Sequence, residues 1–178
     1  MKVKDAMKTD VAFCLTDDSL MKAADTMRMR DCGVVPIVDD ARKAVGMLTD
    51  RDICLAIAAR NRKASDVKTS ELIKGKIIAC FADDDLESAL RKMRKYRVKR
   101  LAVVDTDNVL VGICSIADAL LAVGKDKKLK KKIYTTIKSI VQPSPIVLRE
   151  IGSGDGTPDT DALIAASKSR AEQTSDNL

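Results

Sequence analysis

The sequence predicts a duplicated α/β (α+β) fold, in which two β-α-β-β-α repeats pack as a pseudo-two-fold module and a basic extension follows. The chain aligns with itself without a gap, since Cys14 meets Cys80 and Asp52 meets Asp118, an offset of 66 residues in both cases. Each copy also shows the same order of β-branched runs and helix-spaced apolar residues. This pattern ends near residue 124, where a lysine-rich segment begins. These three observations favour tandem repeats over a single continuous domain.

Each repeat is predicted to begin with a short strand, at residues 11–15 and 77–81. Ser19 and Asp85 follow as N-cap residues, and apolar side chains at helical spacing predict a helix after each cap. Two β-branched runs joined by a polar turn then predict a hairpin. A second helix closes each repeat, at residues 51–60 and 116–123.

The repeats are expected to share one core, because a unit of about 60 residues buries too little apolar surface to be stable alone. The predicted division of the chain is repeat 1 at 1–60, a linker at 61–66, repeat 2 at 67–124 and an extension at 125–178. Packing the repeats sheet to sheet creates two equivalent clefts. A site built from both repeats should therefore occur twice.

The composition excludes several classes of site. There is no histidine, which removes His-dependent nucleophiles and Cys/His zinc sites. With no Trp and only two Phe and two Tyr, the chain can hardly form the stacking platform of a single-strand binder. Its five cysteines are scattered and are interpreted as buried free thiols. The sequence thus predicts no enzyme, no catalytic cofactor and no metal site.

The chain is also expected to be cytoplasmic, without membrane contact. No apolar run approaches the ~18 residues that a bilayer crossing requires. The first residues lack the apolar region of a secretory signal.

One motif recurs where the third strand of each repeat meets its second helix. The repeats read Gly46-x-x-Thr49-x-x-Asp52 and Gly112-x-x-Ser115-x-x-Asp118. The hydroxyl suits a phosphate, because it lies beside free backbone N–H groups at a helix start. The carboxylate could accept hydrogen bonds from two ribose hydroxyls. The same sequences also resemble capping boxes, which need no ligand.

The duplicated motif, the acidic pairs that precede the first helix of each repeat and the Val-Val-Pro-Ile-Val-Asp segment at 34–39 together resemble a tandem CBS-domain pair, or Bateman module. The resemblance covers about residues 1–124 and implies a regulatory module that senses AMP, ADP, ATP or a related adenosine derivative such as S-adenosylmethionine. It also implies a homodimer and an unidentified regulated protein, on which the module acts in trans or through self-association.

The family pattern implies two unequal clefts. Cleft A would take Ser115, Asp118 and Arg100 from repeat 2, with its adenine wall formed in repeat 1 by Met7, Ala12, Cys32, Gly33 and Pro36. Arg100 is expected to bind phosphate, because its planar fork matches that group.

Cleft B would take Thr49 and Asp52 together with Ile73, Ile78, Val98 and Lys99. Val34 occupies the position equivalent to Arg100, so cleft B is expected to lack the matching cation unless Lys99 replaces it. Cleft A is therefore predicted to be the tighter phosphate site.

The extension begins with six lysines within residues 125–132. Ile133, Ile137 and Ile140 follow at helical spacing and predict a short amphipathic helix. Residues 152–161 are interpreted as linker or disorder, and 162–173 as one weak helix. The lysine run has three interpretations: a solvated extension of the last helix, a docking surface for an acidic partner, or a nucleic-acid or membrane contact. Two alternative functions stay open for the chain: a nucleic-acid-binding protein that uses this tail, which is not favoured, and a structural interaction module with inactive clefts.

Overall fold

Each repeat folds into a three-stranded sheet with helices packed on it, as the computed structural model shows for residues 1–73 and 75–142. Repeat 1 consists of β1 (Cys14–Leu15), α1 (Leu20–Met29), β2 (Val34–Val38), β3 (Ala44–Thr49) and α2 (Asp50–Arg60). Repeat 2 consists of β4 (Ala79–Phe81), α3 (Leu86–Tyr96), β5 (Arg100–Val104), β6 (Leu110–Ser115) and α4 (Ile116–Ala122). A fifth helix, α5 (Lys127–Val141), follows. The predicted fold class and order of elements are confirmed.

The two sheets have the same topology. Their orders are β1-β2-β3 and β4-β5-β6, with the first pair of strands parallel and the second antiparallel. The register shifts at equivalent positions, between Ile37 and Val38 and between Val103 and Val104. The duplication therefore extends to an irregularity of the hydrogen bonding.

The first strand of each repeat is shorter than predicted. Pairing is confined to β1 and β4, so residues 11–13 and 77–78 precede the paired strands. Of the two predicted caps, Ser19 accepts a hydrogen bond from the Lys22 N–H at 3.2 Å. The Asp85 side chain makes no capping bond and instead accepts a hydrogen bond from Lys2 Nζ at 3.0 Å.

The repeats meet through their sheets. Val38 and Ala44 of repeat 1 pack with Ala102, Val104 and Leu110 of repeat 2 in one buried cluster. Each repeat also has a core of its own between sheet and helices. The repeats thus share a buried cluster between their sheets, as expected, but each also forms a separate core with its helices.

A short segment ahead of each repeat crosses to the other repeat. We call residues 1–8 and 67–73 the leading segments. The Val3 N–H donates to the Asp84 carbonyl at 2.9 Å, and the Thr69 N–H donates to the Asp18 carbonyl at 2.8 Å. Val3 is buried in the core of repeat 2, whereas Val67 is buried in the core of repeat 1. The two repeats thus exchange equivalent pieces of chain.

The lysine run belongs to a longer helix than the one predicted. Gly124, at a φ of +54°, lies in the turn between α4 and α5, and α5 then runs continuously through the lysines. Its Leu129 and Ile133 enter the core of repeat 2. Lys127, Lys128, Lys130 and Lys131 are exposed, while Lys132 pairs with Glu87 on α3. The predicted disorder at 152–161 and helix at 162–173 lie outside the described residues.

The cysteines follow the prediction of burial only in part. Cys14, Cys80 and Cys114 are buried, and burial raises the pKa of Cys80 to about 11 and that of Cys114 to about 12. Cys54 is exposed on α2, contrary to the expectation. Its neighbour Ile53 faces the core, so residue 54 falls on the outer side of the helix.

Candidate functional site

Both motifs form capping boxes at the starts of α2 and α4. In repeat 1 the Asp52 N–H donates to Thr49 Oγ1 at 3.1 Å, while Asp52 Oδ2 accepts from the Thr49 N–H at 3.0 Å and from its hydroxyl at 2.6 Å. In repeat 2, Asp118 Oδ2 accepts from the Ser115 N–H at 2.9 Å and from its hydroxyl at 2.5 Å. Each box occupies one carboxylate oxygen. These bonds fix the orientation of the other oxygen, Oδ1.

The glycine of each motif allows the leading segment of the other repeat to approach closely. A Cβ atom at Gly46 would lie 2.9 Å from Ile73 Cγ1. A Cβ atom at Gly112 would lie 2.8 Å from the Lys8 carbonyl oxygen and 3.1 Å from the Met7 sulfur. Lys8 also exchanges two backbone hydrogen bonds with Ile113, of 2.9 and 3.0 Å. Residues from both repeats therefore meet beside each motif.

Cleft B is a cavity of about 330 Å³ between the repeats. Four of its predicted residues, Asp52, Ile73, Ile78 and Val98, lie in its lining. The cavity therefore combines a motif carboxylate of repeat 1 with apolar side chains from the chain around repeat 2. Further lining residues are Val45, Gly46 and Met47 of β3, and Leu72, Gly75, Lys76 and Ile77 ahead of β4.

The cations of the clefts differ from the sequence-based assignment. Arg100 lines cleft B, so the expectation that this cleft lacks the matching arginine is wrong. Arg100 is the first residue of β5 and lines the same cavity as Asp52 of repeat 1. Lys99, predicted for cleft B, lies instead with Ser115, and its carbonyl accepts from the Ile116 N–H at 3.0 Å.

Sequence reasoning missed Lys76, which also lines cleft B. The signal was available in the repeat alignment, where Lys76 and Arg100 correspond to Asp10 and Val34. Asp10 pairs with Arg30 at 2.6 Å. The two cations of cleft B thus correspond to an acidic and an apolar residue in repeat 1.

In cleft A the leading segment contacts the motif of repeat 2. Lys8 Nζ lies 3.6 Å from Asp118 Oδ1, and the Asp118 side chain is only 10% exposed. Met7, predicted for the adenine wall, lies beside Gly112.

The other predicted wall residues of cleft A belong to repeat 1. Gly33 precedes β2 in the chain and lies beside the start of α2, where its carbonyl accepts from the Asp50 N–H at 3.2 Å. Cys32 packs on the core of repeat 1, Ala12 is half-buried ahead of β1, and Pro36 is buried within β2. Arg100 pairs in register with Ser115, and both also line a separate cavity against α5.

Two kinds of feature are absent from the part of the chain that the structure describes. Among residues 1–73 and 75–142, no three or more His, Cys, Asp or Glu side chains are grouped to hold a metal ion. No helix of these same residues combines the length and the apolar character that a bilayer crossing needs.

Known proteins of similar sequence share the repeat pair. "CBS domain-containing protein YhcV" of Bacillus subtilis is 36% identical over 120 residues, which cover 65% of this chain and 81% of that protein. Inosine-5′-monophosphate dehydrogenase of Methanocaldococcus jannaschii is 34% identical over 119 residues, but the match spans only 23% of that enzyme. The likeness to the enzyme is thus confined to a part of it.

Solved structures share the fold. A CBS domain pair in complex with 5′-methylthioadenosine and S-adenosyl-L-methionine has a TM-score of 0.60 at 30% identity, covering 70% of this chain and all (100%) of that one. Hypoxic Response Protein I, with two coordinated zinc ions, has a TM-score of 0.63 at 30% identity, covering 68% of this chain and 98% of that one.

The CBS domain family profile matches residues 3–59 and 65–125, one match for each repeat. This agrees with the duplicated motif, the paired sheets and the structural neighbours. The chain belongs to the CBS domain family and contains a CBS domain pair.

Proposed function

We propose that this protein is a regulatory module that binds an adenine nucleotide or a related adenosine derivative between its repeats. The observation that carries the proposal is cleft B, where Asp52, Lys76 and Arg100 surround an apolar inter-repeat cavity. A structural neighbour at 30% identity, solved with 5′-methylthioadenosine and S-adenosyl-L-methionine, supports an adenosine-type ligand. The volume of about 330 Å³ falls at the lower end of small-molecule sites, roughly 300–1,000 Å³.

Each part of such a ligand has a matching group in cleft B. The adenine ring packs against Ile73, Ile78 and Val98. The ribose hydroxyls donate to Asp52 Oδ1, since Oδ2 is used by the capping box. The phosphate lies at Arg100, because charge-assisted bonds from a guanidinium are strong and bidentate. We therefore propose cleft B, rather than cleft A, as the tighter phosphate site.

Regulation follows because residues of both repeats line the cavity. A ligand that contacts Asp52 of repeat 1 and Val98 of repeat 2 favours the relative orientation of the repeats in which both contacts form. This shift acts on a partner in trans or through self-association. A homodimer would provide the second route, and the exposed Leu55 on α2 and Leu121 on α4 are available to form one.

Calorimetric titration with AMP, ATP, S-adenosylmethionine and 5′-methylthioadenosine tests the proposal. Asp52→Ala should weaken binding of every ligand about ten-fold or more, because a hydrogen bond to a charged group is worth about 1.5–3 kcal/mol. Arg100→Gln should weaken AMP to a similar extent and leave 5′-methylthioadenosine, which has no phosphate, nearly unchanged. Asp118→Ala is the matched control in the other cleft.

Two outcomes would contradict this assignment. Loss of binding in Asp118→Ala, with Asp52→Ala unaffected, would move the ligand to cleft A. No binding of any of the four compounds at millimolar concentration would favour a structural module with inactive clefts.

Nucleic-acid binding is the second candidate, because four lysines of α5 face solvent within one stretch of five residues. Such binding should weaken steeply with salt. Asp52→Ala and Asp118→Ala should leave the nucleic-acid affinity unchanged.

A further inference from the structure

A second cavity, of about 350 Å³, lies between α4 and α5. We call it the α4–α5 cavity. The family match ends at residue 125, so the α5 side of this cavity is formed by chain that follows the repeats. Its lining includes Lys99, Arg100, Ser115, Leu120, Ile137 and Ile140.

The lining is mostly apolar, and Lys99 and Arg100 are its two basic residues. Both lie where β5 begins, and the Lys99 carbonyl accepts a hydrogen bond from the first N–H of α4. Leu120 lies one turn along α4 from there, and Ile137 and Ile140 of α5 complete the apolar part. A cavity of this kind fits a ligand with a charged head and an aliphatic body.

The charge of the head follows from the two basic residues. Within residues 1–73 and 75–142, neither Lys99 nor Arg100 forms an ion pair with a carboxylate. Two adjacent basic residues that line an apolar cavity favour an anion through charge-assisted hydrogen bonds. The Ser115 hydroxyl donates its hydrogen bond to Asp118, so it is not an additional donor for an anion in this cavity.

We propose that the α4–α5 cavity binds a single-chain amphiphile with an anionic head, such as a medium-chain fatty acid. The carboxylate lies between Lys99 and Arg100, and the acyl chain lies along Leu120, Ile137 and Ile140. Burial of the chain supplies the favourable free energy, and the two cations select against neutral amphiphiles.

This proposal does not rest on adenosine binding in cleft B. Lys99 and Ala117 line the α4–α5 cavity without lining cleft B, and Asp52 lines cleft B without lining the α4–α5 cavity. Arg100 lines both cavities, and Ser115 and Arg100 are also predicted residues of cleft A. Variants at the unshared positions therefore separate the two sites.

Calorimetric titration of the full chain with decanoate, decyl phosphate and decan-1-ol tests the proposal. The wild-type protein should bind decanoate at one site per chain, and decan-1-ol at least ten-fold more weakly. Lys99→Gln should weaken decanoate about ten-fold and leave decan-1-ol nearly unchanged. The ratio of decanoate to decyl phosphate affinity identifies which anionic head the site prefers.

A filling variant tests the cavity itself. Ala117 is exposed and lines the cavity, so Ala117→Phe should occupy the space without disturbing the core. It should weaken decanoate and decan-1-ol alike by ten-fold or more, with an unchanged thermal unfolding midpoint. Asp52→Ala is the control and should leave decanoate affinity as it is in the wild type.

Two results would overturn the proposal. One is equal decanoate affinity in wild type and Ala117→Phe. The other is binding of many decanoate molecules per chain with no effect of Lys99→Gln, which is the behaviour of a surfactant on a protein surface. Neither result bears on AMP binding in cleft B, which the same Asp52→Ala protein reports separately.

Discussion

Adding a methyl group should destabilise the protein more at one motif glycine than at the other. In Gly112→Ala the new Cβ would lie 2.8 Å from the backbone oxygen of Lys8. That oxygen accepts from the Ile113 N–H while the Lys8 N–H donates to Ile113, so it cannot move alone. In Gly46→Ala the nearest atom belongs to the flexible side chain of Ile73. Overpacking typically costs about 1–3 kcal/mol. We expect Gly112→Ala to reach that range in urea unfolding, and Gly46→Ala to cost less; equal losses would contradict this difference.

The cation assignments show where residue-level prediction fails. Lys99 and Arg100 are neighbours in sequence, yet Lys99 lines only the α4–α5 cavity whereas Arg100 also lines cleft B. The family pattern placed these residues, Arg100 with Ser115 and Lys99 with Asp52. Such a pattern assigns each residue to one cleft, whereas Arg100 at the start of β5 lines both cavities.

The motif residues were easier to predict than their role. Thr49 and Asp52 were expected both as ligand contacts and as a capping box, and the structure forms the box. Both uses require a hydroxyl and an acid three residues apart at a helix start. A sequence pattern cannot separate them, because the same geometry serves both.

At the scale of the element, α5 is part of the folded core rather than an appended tail. Ile133 is only 1% exposed and packs with α3, whereas its neighbour Tyr134 is 67% exposed. Removing a buried isoleucine side chain costs about 2–5 kcal/mol. Ile133→Ala should therefore destabilise the whole protein by this amount in urea unfolding.

Tyr134→Ala is the matched control for that experiment and should cost little. If Ile133→Ala were as mild as Tyr134→Ala, or gave a separate early transition, α5 would be independent of repeat 2.

The lysine run made the start of α5 difficult to predict from the sequence. A new helix was expected where the isoleucines begin, and the lysines before it were interpreted as a solvated extension of the preceding helix or as a contact surface. Leu129 alone marked the buried face among them, and it packs into the core of repeat 2. Long lysine side chains can surround such a position on the outer face of a helix without being buried themselves.

At the scale of the whole molecule, acid should loosen the contact between the leading segment and repeat 2. Hydrogen bonds from Lys4 and Lys2 hold the pKa values of Asp83 and Asp85 below the ordinary value of 3.8. The unfolded chain therefore binds more protons at low pH than the folded one. These pairs contribute stability above about pH 4, and that contribution is lost as pH falls through the folded-state pKa values.

The check is urea unfolding at pH 5 and pH 3. The double variant Asp83→Asn/Asp85→Asn should lose less stability between these pH values than the wild type. Parallel losses in the two proteins would show that other carboxylates cause the acid sensitivity.

The duplication was visible in the sequence, but the crossing of the leading segments was not. Repeats are recognised by equal spacing, and Val3 and Thr69 keep the 66-residue spacing whichever repeat they contact. Their hydrogen-bond partners, Asp84 and Asp18, are equivalent residues of opposite repeats. Only the three-dimensional structure distinguishes a segment packed on its own repeat from one exchanged with its neighbour.

This exchange has the geometry of a domain-swapped dimer joined into one chain. A single repeat with its own leading segment would leave one core without Val3 or Val67, and two such copies would complete each other by reciprocal exchange. Fusing the copies makes the partner permanent and removes the dependence of folding on protein concentration. It also allows the two clefts to diverge, because each motif can then change without its symmetry mate.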